Sequence, residues 1–192
     1  MYTQEHIAAA LKSYSRKIIT QEEFAGFTHA SVLIPLYPVH NELSVLLTVR
    51  TDDVETHKGQ ISFPGGMRDE TDTDAVHNAL RETEEEVGIP AETFTVLGII
   101  DDHPVPTRYI ITPVVGYTDK KPTVKPNPSE VADVFDVPLS FFANENNART
   151  EKRSFNGREI TVWHYPYKSH IIWGATAAII RNLIAIVSKH AK

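Results

Sequence analysis

The stretch from Asp74 to Pro90 constrains the chain more than any other. Its apolar positions Val76, Ala79, Leu80, Thr83 and Val87 recur at helical spacing, and Gly88 and Pro90 follow in the order of a helix stop. The spacing predicts a helix over about Asp74–Val87 that buries one stripe against a sheet. Residues three and four apart share a helix face, so Glu82, Glu85 and Glu86 project together, while Glu84 falls away into solvent. Like charges at this spacing destabilise a helix by about 0.2–0.5 kcal/mol per pair. A hard divalent cation such as Mg²⁺ or Mn²⁺ reverses that sign, because carboxylate oxygens are its preferred ligands. Arg81, four residues before Glu85, is placed to orient the carboxylates.

Most acidic runs on helices are simply solvated faces. What separates this one is the segment Phe63-Pro64-Gly65-Gly66 just upstream, whose glycines let backbone approach a phosphate or a metal. Other chemistries find less support. With no cysteine among 192 residues, there is no disulfide framework, thiolate zinc site or thiol nucleophile. None of the nine histidines forms a helical pair of ligand spacing. His103, next to Pro104, could line a pocket but reads by default as a loop or surface residue, and Trp163 and Trp173 read as core. The net charge of −6 argues against a nucleic-acid surface. It leaves room for a small anion held by a local cluster of arginines. No apolar run reaches membrane-spanning length, and Ile7–Leu11 is too short for a secretory signal. A cytoplasmic location is the expectation.

Along the rest of the chain, a helix is expected around Ile7–Ile19 and then a loop. Strands are expected at Ser31–Tyr37 and Leu43–Arg50, joined by a turn at His40–Glu42, and a short one at Gly59–Phe63. Further strands are expected at Phe94–Asp101, Tyr109–Tyr117 and Glu130–Val137, with loops at His103–Arg108 and Lys120–Pro128. Asn156-Gly157 signals a hairpin between Ser154–Phe155 and Ile160–His164, and a closing helix covers Ala175–Lys189. Strands with interspersed helices and hairpins indicate an α/β fold with a mixed sheet covered by helices. A single domain over 1–192 is expected, with 1–30 as a helical extension.

The run Arg81-Glu82-Thr83-Glu84-Glu85-Glu86-Val87-Gly88-Ile89 resembles the second half of the Nudix box, with Thr83 in the slot of a bulky aliphatic. The first half departs: Gly66 lies one residue too far from Arg81, and Thr73 stands in the slot of the upstream glutamate. The same stretched loop, with aspartates, occurs in the coenzyme A pyrophosphatase subfamily, whose pattern Phe63-Pro64-Gly65-Gly66, Asp69 and Asp72 resembles. Asp72 is either the upstream acid or the helix N-cap. A second signature of that subfamily resembles Leu46-Leu47-Thr48-Val49-Arg50-Thr51 and Gly59–Gly66, with Glu55 in the slot of an arginine. Thr112–Gly116 and Ile172–Ala177 also resemble it, so the likeness runs from about residue 30 to the last helix.

The resemblance implies a Nudix-type α/β/α sandwich with a mixed sheet and a catalytic loop-helix-loop over 63–89. It implies a metal-dependent hydrolase of the diphosphate bond of coenzyme A or its thioesters. Glu82, Glu85 and Glu86, with the Gly66 carbonyl, would hold Mg²⁺ or Mn²⁺. One of Glu85 and Glu86 could instead deprotonate water, and Arg81 would orient them. Arg50, Lys58, Arg68 and Arg108 are candidates for phosphate contacts. Alternatives are another nucleoside diphosphate derivative (ADP-ribose, NADH or a dinucleoside polyphosphate), or a non-catalytic binding module. The expected partner is a small-molecule diphosphate, with no nucleic acid and no membrane; a homodimer is compatible with the chain.

Overall fold

The computed structural model describes residues 2–20, 22, 24–51, 59–155 and 158–190. Lys58, Glu55 and the Asn156-Gly157 turn lie outside these residues. The elements in order are α1 (Gln4–Lys12), β1 (Thr28–Val39), β2 (Glu42–Arg50), β3 (Ile61–Ser62), β4 (Gly65–Met67), α2 (Ala75–Val87), β5 (Thr95–Ile99), β6 (His103–Val105), β7 (Tyr109–Tyr117), β8 (Val131–Pro138), α3 (Leu139–Ala143), β9 (Arg149–Phe155), β10 (Arg158–Tyr167), β11 (His170–Trp173) and α4 (Gly174–His190).

The main sheet is mixed. β1 runs parallel to β7, whereas β2, β4, β5, β6, β3 and β8 join by antiparallel pairing. Side chains alternate across a strand, and this alternation divides the core in two. Leu33, Tyr37, Leu46 and Val114 face α2, meeting Ala79 and Val87. Ile34, Leu36, Val45, Leu47 and Val115 face the other way, packing with Ile7 and Leu11 of α1 and Ile179 and Leu183 of α4. The result is the expected helix–sheet–helix sandwich. The β1–β2 turn forms where it was expected, with His40 and Asn41 at φ 49° and 64°, the positive values a two-residue hairpin needs.

Several boundaries differ from expectation. α1 ends at the Ser13 cap rather than near Ile19. Residues beyond it are extended because two carboxylates satisfy their donors: Tyr14 Oη and Lys17 N donate to Asp101 Oδ1 at 2.8 and 2.7 Å, and Ile19 N donates to Asp102 Oδ2 at 2.9 Å. His103–Val105, expected as loop, is strand β6 on the edge of β7, with Pro104 at a sheet margin where a missing donor is tolerated. β9, β10 and β11 form a separate three-stranded antiparallel sheet whose third strand was not anticipated. Its Tyr165 and Ile172 are buried in the α4 side of the core. No helix among the described residues is long and apolar enough to cross a membrane.

Candidate active site

α2 opens at Asp74, whose side chain accepts from His77 N, and closes at Gly88 with φ 68°. Asp72 is therefore not the N-cap. It is buried beneath the helix, where Arg81 grips it as a fork, Nε to Oδ1 at 3.0 Å and Nη2 to Oδ2 at 2.9 Å. Asp69 N donates to the same carboxylate at 2.8 Å, and His77 Nδ1 lies 3.0 Å away. Arg81 holds the Asp72 carboxyl at about 2, below the usual range, with the Asp69 amide and His77 adding to the effect against desolvation. The loop residue that lengthens the segment between Gly66 and Arg81 thus folds around an ion pair.

The three helix glutamates divide. Glu86 is 2% exposed, accepting from Gly65 N at 3.2 Å and Arg50 Nη1 at 3.3 Å. Burial pushes its carboxyl up to about 7; Arg50 and the Gly65 amide oppose this, and the charges of Glu82 and Glu130 add to it. Glu82 lies against Gly66, where an added Cβ would overlap its carboxylate, and it accepts from Arg81 Nη2 at 2.9 Å. Burial raises its pKa, opposed by Arg81. Glu85 is exposed and turned to Arg81 Nη1 at 2.8 Å. Among the described residues, no three His, Cys, Asp or Glu side chains form a ready-made metal cage. Glu82 and Glu86 nonetheless present an oxygen-only donor pair that repels itself, which is the chemistry a hard cation relieves. Thr83, in the aliphatic slot, is fully buried and donates Oγ1 to Ala79 O at 2.6 Å, so its hydroxyl is satisfied where an apolar side chain was expected.

Glu82 and Glu86 open onto a cleft of about 1070 Å³. Arg50 and Arg68 line it. Among the described residues Arg50 Nε is a buried donor without a partner, whereas Arg68 Nη2 donates to the carbonyls of Asp72 and Thr73. Arg108 occupies the β6–β7 turn at φ 64°, its carbonyl accepting from Thr28 N, between Thr107 and Tyr109, which line the cleft. His103, whose default reading was a loop or surface residue, lies on β6 and lines the cleft, and burial lowers its pKa. Trp163 and Trp173 also line it, so neither is simply core; Trp173 is 37% exposed.

Glu130 was not anticipated. The loop before it docks on the end of α2, with Asn127 N donating to Glu86 O at 2.8 Å and Lys125 N to Val87 O at 2.8 Å. Asn127 Nδ2 then holds Glu130 Oε1 at 3.1 Å, in the cleft. Nothing in the local pattern Pro128-Ser129-Glu130 marks it, because its neighbours come from over forty residues upstream.

The model of the NUDIX domain matches residues 27–164. A protein named uncharacterized Nudix hydrolase NudL from Photorhabdus laumondii is 39% identical over 155 residues, covering 81% of this chain and 82% of that protein. Its namesake from Pectobacterium atrosepticum is 37% identical over 166 residues, covering 83% and 82%. Among solved structures, a MutT/nudix family protein from Enterococcus faecalis aligns with 98% of this chain and 76% of its own at TM-score 0.55 and 13% identity. A MutT protein from Methanosarcina mazei Go1 aligns with 94% and 99% at TM-score 0.53 and 17% identity. These two show the fold.

Proposed function

This chain belongs to the Nudix family of hydrolases, and from that premise we propose that it cleaves the diphosphate of coenzyme A or its thioesters. The products would be adenosine 3′,5′-bisphosphate and (acyl-)4′-phosphopantetheine. The observation that carries this reading is the Asp72–Arg81 fork. It supports the likeness of the Phe63–Asp72 loop to the coenzyme A subfamily, because the aspartate that distinguishes the longer loop is the one that anchors the Nudix arginine. The cleft, about 1070 Å³, also exceeds what a diphosphate alone would fill.

In this reading Glu82, Glu85 and Glu86, with the Gly66 carbonyl, would hold Mg²⁺ or Mn²⁺. Bound there, such ions offset diphosphate charge and lower the pKa of water. Glu85 must turn from Arg81 to take part. Arg81, anchored on Asp72, keeps the Glu82 carboxylate aimed past Gly66 into the cleft. Arg50 restrains Glu86 and, lining the cleft beside it, is a candidate for a phosphate contact. One of Glu85 and Glu86 could instead accept a proton from an attacking water, and the buried Glu86 is the one whose carboxyl is raised by its surroundings.

Glu55, in the slot of a subfamily arginine, favours a second reading in which another nucleoside diphosphate derivative is the substrate. One panel separates them: protein with Mg²⁺ or Mn²⁺ is incubated with coenzyme A, ADP-ribose, NADH and diadenosine polyphosphates, and products are resolved chromatographically. Preferential release of 4′-phosphopantetheine is expected. Preference for ADP-ribose would overturn the coenzyme A reading.

A further inference from the structure

The cleft runs on from the glutamates to a wall that diphosphate chemistry does not use. This wall belongs to the small sheet. Ile160 pairs with Arg153 and His164 with Trp173, so strand alternation puts Arg153, Ile160, Val162, His164 and Trp173 on one face. The opposite face, with Tyr165 and Ile172, is buried toward α4. The first face is open: Trp173 is 37% and Ile160 38% exposed. Its aromatic ring is nevertheless held in place. The Trp173 and His164 rings are parallel within 5° at 6.0 Å, and the Arg153 guanidinium carbon lies 5.7 Å from the Trp173 ring centre.

This face is tied to the glutamate end of the cleft. Trp173 leads directly into α4, where Thr176 Oγ1 donates to Ile61 O at 2.9 Å. Ile61 lies on β3, which enters the Phe63–Gly66 loop against Glu82 and Glu86. Trp173 and Arg153 consequently line the same cleft as the two carboxylates.

Accepting that the substrate carries an adenine nucleotide, as proposed above, we infer that this open face is the platform for that nucleotide. Trp173 stacks on the base, and Arg153 receives the phosphate on its ribose. An oriented, exposed indole offers a planar apolar surface of the kind on which bases stack. Arg153 is at present paired with Glu151 at 3.0 Å, and both side chains are half exposed. An exposed pair of this kind exchanges readily for a phosphate, which a guanidinium binds through two parallel donors.

The protein has two tryptophans, so each Trp→Phe variant leaves a single tryptophan, excited selectively at the red edge of its absorption. Trp163→Phe and Trp173→Phe proteins are titrated with adenosine 3′,5′-bisphosphate and with AMP, following fluorescence and calorimetric affinity. Saturable quenching is expected in Trp163→Phe, and the affinity of Trp173→Phe for both nucleotides falls about ten-fold. Arg153→Gln should weaken the bisphosphate and spare AMP. Absence of quenching in Trp163→Phe, or native affinity in Trp173→Phe, overturns the platform. Equal loss of AMP and bisphosphate affinity in Arg153→Gln overturns the role given to Arg153. Steady-state turnover of coenzyme A, measured in parallel, separates this inference from the function proposed. Turnover with an unchanged KM in Trp173→Phe defeats the platform alone. Quenching without coenzyme A turnover defeats the substrate reading alone.

Discussion

Asp72→Asn tests the ion pair that anchors Arg81. The Asp72 side chain has no exposed surface, and its carboxyl is held at about 2 against an ordinary 3.8. At about 1.4 kcal/mol per unit, that depression contributes about 2.5 kcal/mol at neutral pH. Asparagine keeps the shape and one acceptor but loses the charge. Arg81 retains Glu82 and the exposed Glu85, so about 2 kcal/mol should be lost, lowering Tm by about 4–8 °C for a chain of this size. The pH dependence has a definite sign. A depressed carboxyl stabilises fully above its unfolded pKa and loses that effect as pH falls through its folded value. The gap between variant and wild type should therefore be complete at pH 7 and shrink to about half by pH 3. Thermal melts followed by circular dichroism at both values measure it. Equal melting at pH 7, or a gap undiminished at pH 3, would refute the assignment of stability to the Arg81 fork.

Glu86→Gln should lower kcat by about 10²–10⁴-fold while leaving the circular dichroism spectrum unchanged, since in the proposed reading it removes a metal ligand or base from the cleft. Because burial raises the Glu86 pKa, the folded state is penalised as pH rises from the unfolded value through about 7; without divalent cations Glu86→Gln should melt above wild type at pH 8. Adding Mg²⁺ should raise wild-type Tm at pH 8 more than that of Glu86→Gln, and equal shifts in differential scanning calorimetry would count against Glu86 as a ligand. The adjacent glycines should separate activity from stability. Gly66→Ala meets the end of the Glu82 side chain rather than backbone and should reduce turnover with little change in Tm. Gly65→Ala drives a Cβ into the Ser31 and Val32 backbone and should lower Tm by several degrees.

The parts of the molecule set by local pattern were readable from the sequence. α2 carries its own stop in Gly88, its apolar stripe and its acidic face, and the β1–β2 hairpin declares itself through two apolar runs broken by His40-Asn41-Glu42. Long-range partners were not readable. Tyr14–Ile19 continues a plausible helix until Asp101 and Asp102, over eighty residues away, claim its donors. Glu130 belongs to the cleft only because Asn127 docks on the end of α2. Trp173 sits in the apolar run Ile171-Ile172-Trp173 and reads as core, yet β pairing buries Ile172 and leaves both neighbours outside. The division of the glutamates is likewise decided by Arg81 and Gly66, since helical spacing alone gives Glu82, Glu85 and Glu86 equal standing.

The bond from Thr176 to Ile61 joins residues 115 positions apart. During synthesis, the helix bearing the glutamates leaves the ribosome well before the strand and helix entry that wall the cleft opposite it. Contacts of such separation form late, because a long loop must close before they are rewarded. Recovery of activity in refolding should consequently lag behind recovery of helix signal, and substrate competence becomes a checkpoint on completion of the chain's final helix.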